Sequence, residues 1–219
     1  IRGSGVKLGP DQFPELYASV HELATRMGMD KVPDIYLMQA GGTLNAFATR
    51  FLRKHIIVLF TDLLDACGRN TGARDMIIAH ELGHVHANHL KWHWFLLPAN
   101  LIPFLGTALS RAREYTCDRY GLSGAGDTDS ALLGLTILAA GGKHAPLVNR
   151  EALVRQRADL NTGWMTIGEW LSTHPPLARR MVALDPALGE RYESSSTGFA
   201  RAAAILAVLV IIPASTFAW

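Results

Sequence analysis

A chain of 219 residues, 49% of them apolar and only 18% charged, has room for one core with a small appendage but not for two enzyme domains. A net charge of +2 on scattered arginines, with no basic run interleaved with aromatics, speaks against nucleic acid as a partner. Cys67 and Cys117 lie too far apart for a thiolate knuckle and are too few for a disulfide framework, while the oily balance points to some surface meeting lipid.

From Asp11 to Met27, Phe13, Leu16, Val20, Leu23, Ala24 and Met27 recur at steps of three and four, which predicts an amphipathic helix ended by Gly28. Asp34 to Met38, after Pro33, reads as a short strand, and Gly41-Gly42 as a turn before a second extended piece from Asn45 to Thr49. A connection carrying Arg50, Arg53 and Lys54 leads to His55 to Phe60, whose β-branched run reads as a buried strand. Thr61 is expected to cap a helix over residues 62 to 67. A longer helix is expected over residues 73 to 93, a stretch that no proline interrupts.

Residues 92–109 are almost uncharged but broken by Pro98 and Pro103, leaving a kinked hairpin, a membrane-dipping segment and a lid all open. A polar helix with Glu114 and Asp118 follows over residues 111 to 121, and another over 129 to 140, closed by Gly141-Gly142. Residues 171 to 176 read as a loop, 177 to 184 as a short basic helix and 194 to 198 as a linker. Residues 202 to 219 carry no charge, near the ~20 that a bilayer span needs. The expected architecture is α+β and mainly helical, with a small β-sheet. A catalytic domain would occupy residues 1–198 and a transmembrane segment residues 199–219.

His80-Glu81-Leu82-Gly83-His84 sets two imidazoles four apart on one helical face, within reach of a single zinc ion. Glu81 then lies beside the metal but off the ligand axis, free to act as general base. A third ligand is offered by Glu114, thirty residues on from His84, and Asp118 one turn further can accept the second N–H of a ligand imidazole, most plausibly that of His80. The HExxHxxGxxH arrangement fails, since Ala87 and Leu90 stand where glycine and histidine are needed. His86, His89 and His93 are therefore not assigned as ligands, and Cys117 is read as a small packed side chain. Two imidazoles and a carboxylate suit one zinc ion per chain.

With Asn45-Ala46-Phe47-Ala48 upstream and Ser172-Thr173-His174-Pro175-Pro176 downstream, these motifs occur in the order of a known family. From about residue 11 to 184 the chain resembles the integral-membrane zinc peptidases that include HtpX and the CAAX prenyl proteases, and so implies a gluzincin-type fold. The resemblance implies that Asn45, Ala46 and Phe47 line the substrate cleft on an edge strand. It also implies that His174 steadies the oxyanion and that Arg180 matches the family's arginine. Main-chain pairing with an extended polypeptide suits broad specificity.

Three functions follow: an endopeptidase for damaged membrane proteins, a processing peptidase for one precursor or prenylated peptide, and a non-catalytic membrane scaffold retaining a zinc site. Arg179, Arg180, Arg191 and Arg201 before the C-terminal span imply a catalytic domain on the cytoplasmic side of a cell membrane. The oligomeric state is not legible.

Overall fold

The computed structural model describes residues 3–39, 41, 46–51, 54–88, 104–190 and 198–206. They fall into two units, one built from residues 1–98 and 112–148 and the other from 99–111 and 149–219.

The first unit is a four-stranded sheet with helices. Its strands β1 (Val6–Lys7), β2 (Asp34–Met38), β3 (Ala46–Phe51) and β4 (Lys54–Phe60) are ordered β1-β2-β4-β3, with β2 and β4 parallel and the outer pairings antiparallel. The strand expected over 34 to 38 has those bounds, and the one expected over 55 to 60 gains only Lys54. The connection expected to carry three basic residues is shorter than that. Arg50 pairs in register with His55 and Phe51 with Lys54, so only residues 52 and 53 join the strands.

Side chains of β4 alternate between two apolar surroundings, as the pleat requires. Ile57 and Leu59 join Val20, Leu23, Ala24, Ile35, Leu37, Ile78, Ala79 and Leu82 in the main core, while Ile56 and Val58 pack with Tyr36 on the other face. Burial on both faces explains why the sequence shows a continuous apolar run here with no polar alternation.

The helix α1 (Pro14–Arg26) closes as expected at Gly28. That residue has φ +70°, with Gly28 N–H bonded to Thr25 O and Met29 N–H to Ala24 O. The helix α2 (Thr61–Cys67) includes Thr61 as its first residue and has Phe60 before it, so Thr61 is not the cap expected from sequence. Burial pushes the Cys67 thiol up to about 11, consistent with an inert, packed side chain.

The helix α3 (Thr71–His86) starts earlier than expected because the Asn70 side chain accepts from Ala73 N–H at 2.7 Å. It also ends earlier: Ala87 caps it and Asn88 turns left-handed at φ +54°, where a helix extending to His93 was expected. His89 and His93 lie outside the described residues.

The helix α4 (Leu105–Ala125) is longer than the one expected over 111 to 121, and passes from the second unit to the first after Arg111. Where it crosses α3, small residues permit close approach. A methyl group on Gly124 would come within 2.4 Å of Ala79 Cβ, and one on Gly121 within 2.9 Å of the Met76 carbonyl oxygen. The helix α5 (Thr128–His144) is capped by Asp127, and its expected closure appears as a break in helical geometry at Gly141, φ +75°.

The second unit adds the short helices α6 (Arg150–Arg155), α7 (Gly163–Leu171), α8 (Leu177–Leu184) and α9 (Pro186–Glu190). The bounds of α8 are those expected. Residues 198–206 are also helical. Among the described residues no helix is long and apolar enough to cross a membrane. Most of the apolar 92–109 segment, most of the 194–198 linker, and residues 207–219 of the expected span lie outside them.

Candidate metal centre

Because α3 is a regular helix, His80 and His84 present their rings on one face, with centroids 5.1 Å apart. The close crossing at Ala79 and Gly124 brings α4 against that face, and Gly83 contributes to it, since a methyl group there would meet the Tyr120 ring at 2.8 Å. Glu114 then points one oxygen at each histidine. His80 Nε2 lies 3.6 Å from Glu114 Oε2, and His84 Nε2 lies 3.4 Å from Glu114 Oε1.

Ligand atoms of His80, His84 and Glu114 all fall within 4.8 Å of one another, and these three are the group of metal-binding size among the described residues. His80 and Glu114 are buried, while His84 is partly exposed. Asp118, one turn beyond Glu114 and 1% exposed, places Oδ1 3.0 Å from His80 Nδ1. His80 thus has one nitrogen held by a carboxylate and the other directed at the cluster, the arrangement in which metal-binding histidines are held. The donor set of two imidazoles and a carboxylate fits zinc.

Burial resists charging of the His80 ring, but the carboxylates of Asp118 and Glu114 outweigh it and push the pKa up to about 9. A cation held there would have to displace that proton, so acid would oppose its binding.

Glu81 is buried on the same helix. His86 packs edge-on against Tyr120 at 5.5 Å, and Cys117 is fully buried. Ala46 and Phe47 begin β3, the sheet's outer strand, which runs beside α3. Phe47 stacks edge-on against Phe60 at 5.9 Å, and Asn45 lies outside the described residues.

His174 and Arg180 belong to the second unit, His174 exposed and Arg180 buried. Ser172 Oγ donates to the His174 carbonyl oxygen at 2.7 Å and accepts from its N–H at 3.2 Å, and Thr173 Oγ1 lies 3.0 Å from His174 Nδ1. Sequence reasoning missed Thr173 and Arg111. Arg111 Nη1 donates to the carbonyl oxygens of Glu169, Trp170 and Ser172. The adjacency of Thr173 to His174 could have drawn notice, whereas nothing in the sequence signals a guanidinium reaching a helix end some 60 positions away.

A sequence model of peptidase family M48 matches residues 10–97 and 91–187. Over 155 residues the chain is 28% identical to the plastoglobule-localized metallopeptidase 48, chloroplastic, of Arabidopsis thaliana, covering 64% of this chain and 44% of that protein. Over 218 residues it is 26% identical to a protease HtpX homolog of Pyrococcus furiosus, covering 80% of this chain and 73% of that one. It is similar in fold to the crystal structure of S. mikatae Ste24p, with a TM-score of 0.55 at 20% identity over 83% of this chain and 50% of the other. The chain therefore spans less than half of the Arabidopsis protein and half of the solved one.

Proposed function

The chain belongs to peptidase family M48, and from that membership we propose that it is a zinc-dependent endopeptidase. The observation carrying the proposal is the convergence of His80, His84 and Glu114, with Asp118 behind His80 and Glu81 one residue along the same helix. His80, His84 and Glu114 would hold the ion. Zinc, when bound, supplies the Lewis acidity that activates water and polarises the scissile carbonyl.

The remaining work falls to side chains. Glu81 takes a proton from the attacking water and passes it to the leaving amine. His174 donates to the developing oxyanion. Thr173 Oγ1 lies 3.0 Å from His174 Nδ1, and the role requires the tautomer in which this hydroxyl donates to Nδ1 and the ring proton sits on Nε2. Substrate polypeptide would pair in extended form along Asn45, Ala46 and Phe47, at the end of the described sheet that β3 forms.

Damaged or misfolded membrane proteins are the proposed natural substrates. The uncharged stretches 92–109 and 202–219 support lipid-bilayer association, and the arginines before the second support a cytoplasmic catalytic domain. The test is cleavage of casein together with metal analysis. We expect one zinc per chain, loss of cleavage on chelation and recovery on adding zinc. Persistent cleavage by metal-free protein would refute the assignment.

Asp118 should contribute through His80. The variant Asp118→Ala is expected to weaken zinc affinity by about 10- to 100-fold without abolishing binding, as measured by competition with a chelator of known affinity. Unchanged affinity would make Asp118 an ordinary buried acid.

A further inference from the structure

The segment bearing His174 leaves the C-terminal end of α7, and one side chain from another element grips that end. Arg111 donates from Nη1 to the carbonyl oxygens of Glu169, Trp170 and Ser172 at 2.8, 2.9 and 2.8 Å. Thr107, one turn earlier in α4, donates to the same Trp170 oxygen. The last carbonyls of a helix lack partners within it, and a cation fixed there also complements the helix dipole. Arg179 of α8 pairs with Glu169 at 3.0 Å.

The grip continues into the loop. Ser172, whose carbonyl Arg111 holds, binds both the N–H and the carbonyl of His174 through its hydroxyl, and Thr173 contacts the ring. The exposed His174 is thus tied to Arg111, within the second unit, through a short chain of hydrogen bonds. All three bonds come from the one nitrogen Nη1, so a lysine ammonium reaching the same point would make part of the set.

We propose that Arg111 is a positioning residue for peptide-bond cleavage, acting by fixing the Ser172–His174 segment and not by touching substrate or metal. The inference rests on the reading of His174 as oxyanion donor. Placement errors of about 1 Å can cost as much as ~100-fold in rate. Loosening this clamp should therefore appear in kcat.

The test compares wild type, Arg111→Met, Arg111→Lys, His174→Phe and the double variant Arg111→Met/His174→Phe in the full chain. It measures zinc content, thermal melting, kcat and KM on an extended fluorogenic peptide. Arg111→Met is expected to keep its zinc and lower kcat by about 10- to 100-fold, with KM changing less than about threefold. Arg111→Lys should recover part of the loss. In the His174→Phe background, Arg111→Met should add less than about twofold, because two residues acting through one contact are not additive.

If His174→Phe is impaired and the double variant loses the product of the two single losses, Arg111 acts elsewhere and the proposal is overturned. Wild-type kcat in Arg111→Met, or loss of its zinc, overturns it too. If Arg111→Met does not fold, the same cycle run with Arg111→Lys decides the matter by the same criterion. Should His174→Phe cleave as fast as wild type, the oxyanion reading itself fails, an outcome separable from the others because it appears in that single variant alone.

Discussion

Glu81→Gln is expected to bind zinc like wild type and to lose about 10²- to 10⁴-fold in cleavage, the range a positioned general base contributes. The substitution keeps the size, replaces one acceptor oxygen by an NH2 donor, and removes the charge and with it the ability to take up a transferable proton. Glu81 is buried on α3 and is not among the three residues whose ligand atoms converge. Metal content and activity should therefore separate in this variant. Zinc analysis alongside casein cleavage reads both, and activity within about threefold of wild type would remove Glu81 from the role of base. Loss of the ion along with activity would instead make Glu81 part of the metal site.

The ease of choosing Glu81 from sequence reflects how local the signal is. His80 and His84 are four apart, as are Glu114 and Asp118, and each spacing becomes a shared face once its segment is helical. What joins the two pairs is not local. The crossing of α3 and α4 depends on Gly121 and Gly124 meeting Met76 and Ala79, and nothing in the sequence matches those partners.

Other limits have the same character. The strand β4 and the helix α8 were legible almost to the residue, through a β-branched run in one case and a Pro-Pro start in the other. The end of α3 was not, since Asn88 stops it by taking a left-handed conformation, and asparagine is a weaker stop signal than glycine. The helix α7 was missed outright. It is nine residues long with Gly163 and Gly168 within it, poor helix formers, and its end is satisfied by Arg111 from far away in sequence. In such short helices tertiary partners outweigh propensity.

The variant Glu114→Ala should fail in the opposite way from Glu81→Gln. Glu114 is 6% exposed and supplies a carboxylate facing both histidines, with an oxygen 3.6 Å from His80 Nε2 and another 3.4 Å from His84 Nε2. Its removal takes away one of three donors and the negative charge that offsets a divalent cation, while Asp118 remains engaged with the far nitrogen of His80. The loss of affinity should exceed the roughly 10- to 100-fold expected for Asp118→Ala. We expect the purified variant to carry substantially less than one zinc per chain and to show no cleavage at zinc concentrations that saturate wild type. Adding excess zinc should restore cleavage only partially, because the donor is absent and not merely weakened. A Glu114→Ala protein that retains stoichiometric zinc as tightly as wild type would place the third ligand elsewhere, and the spacing between α3 and α4 would then have to be explained without a metal.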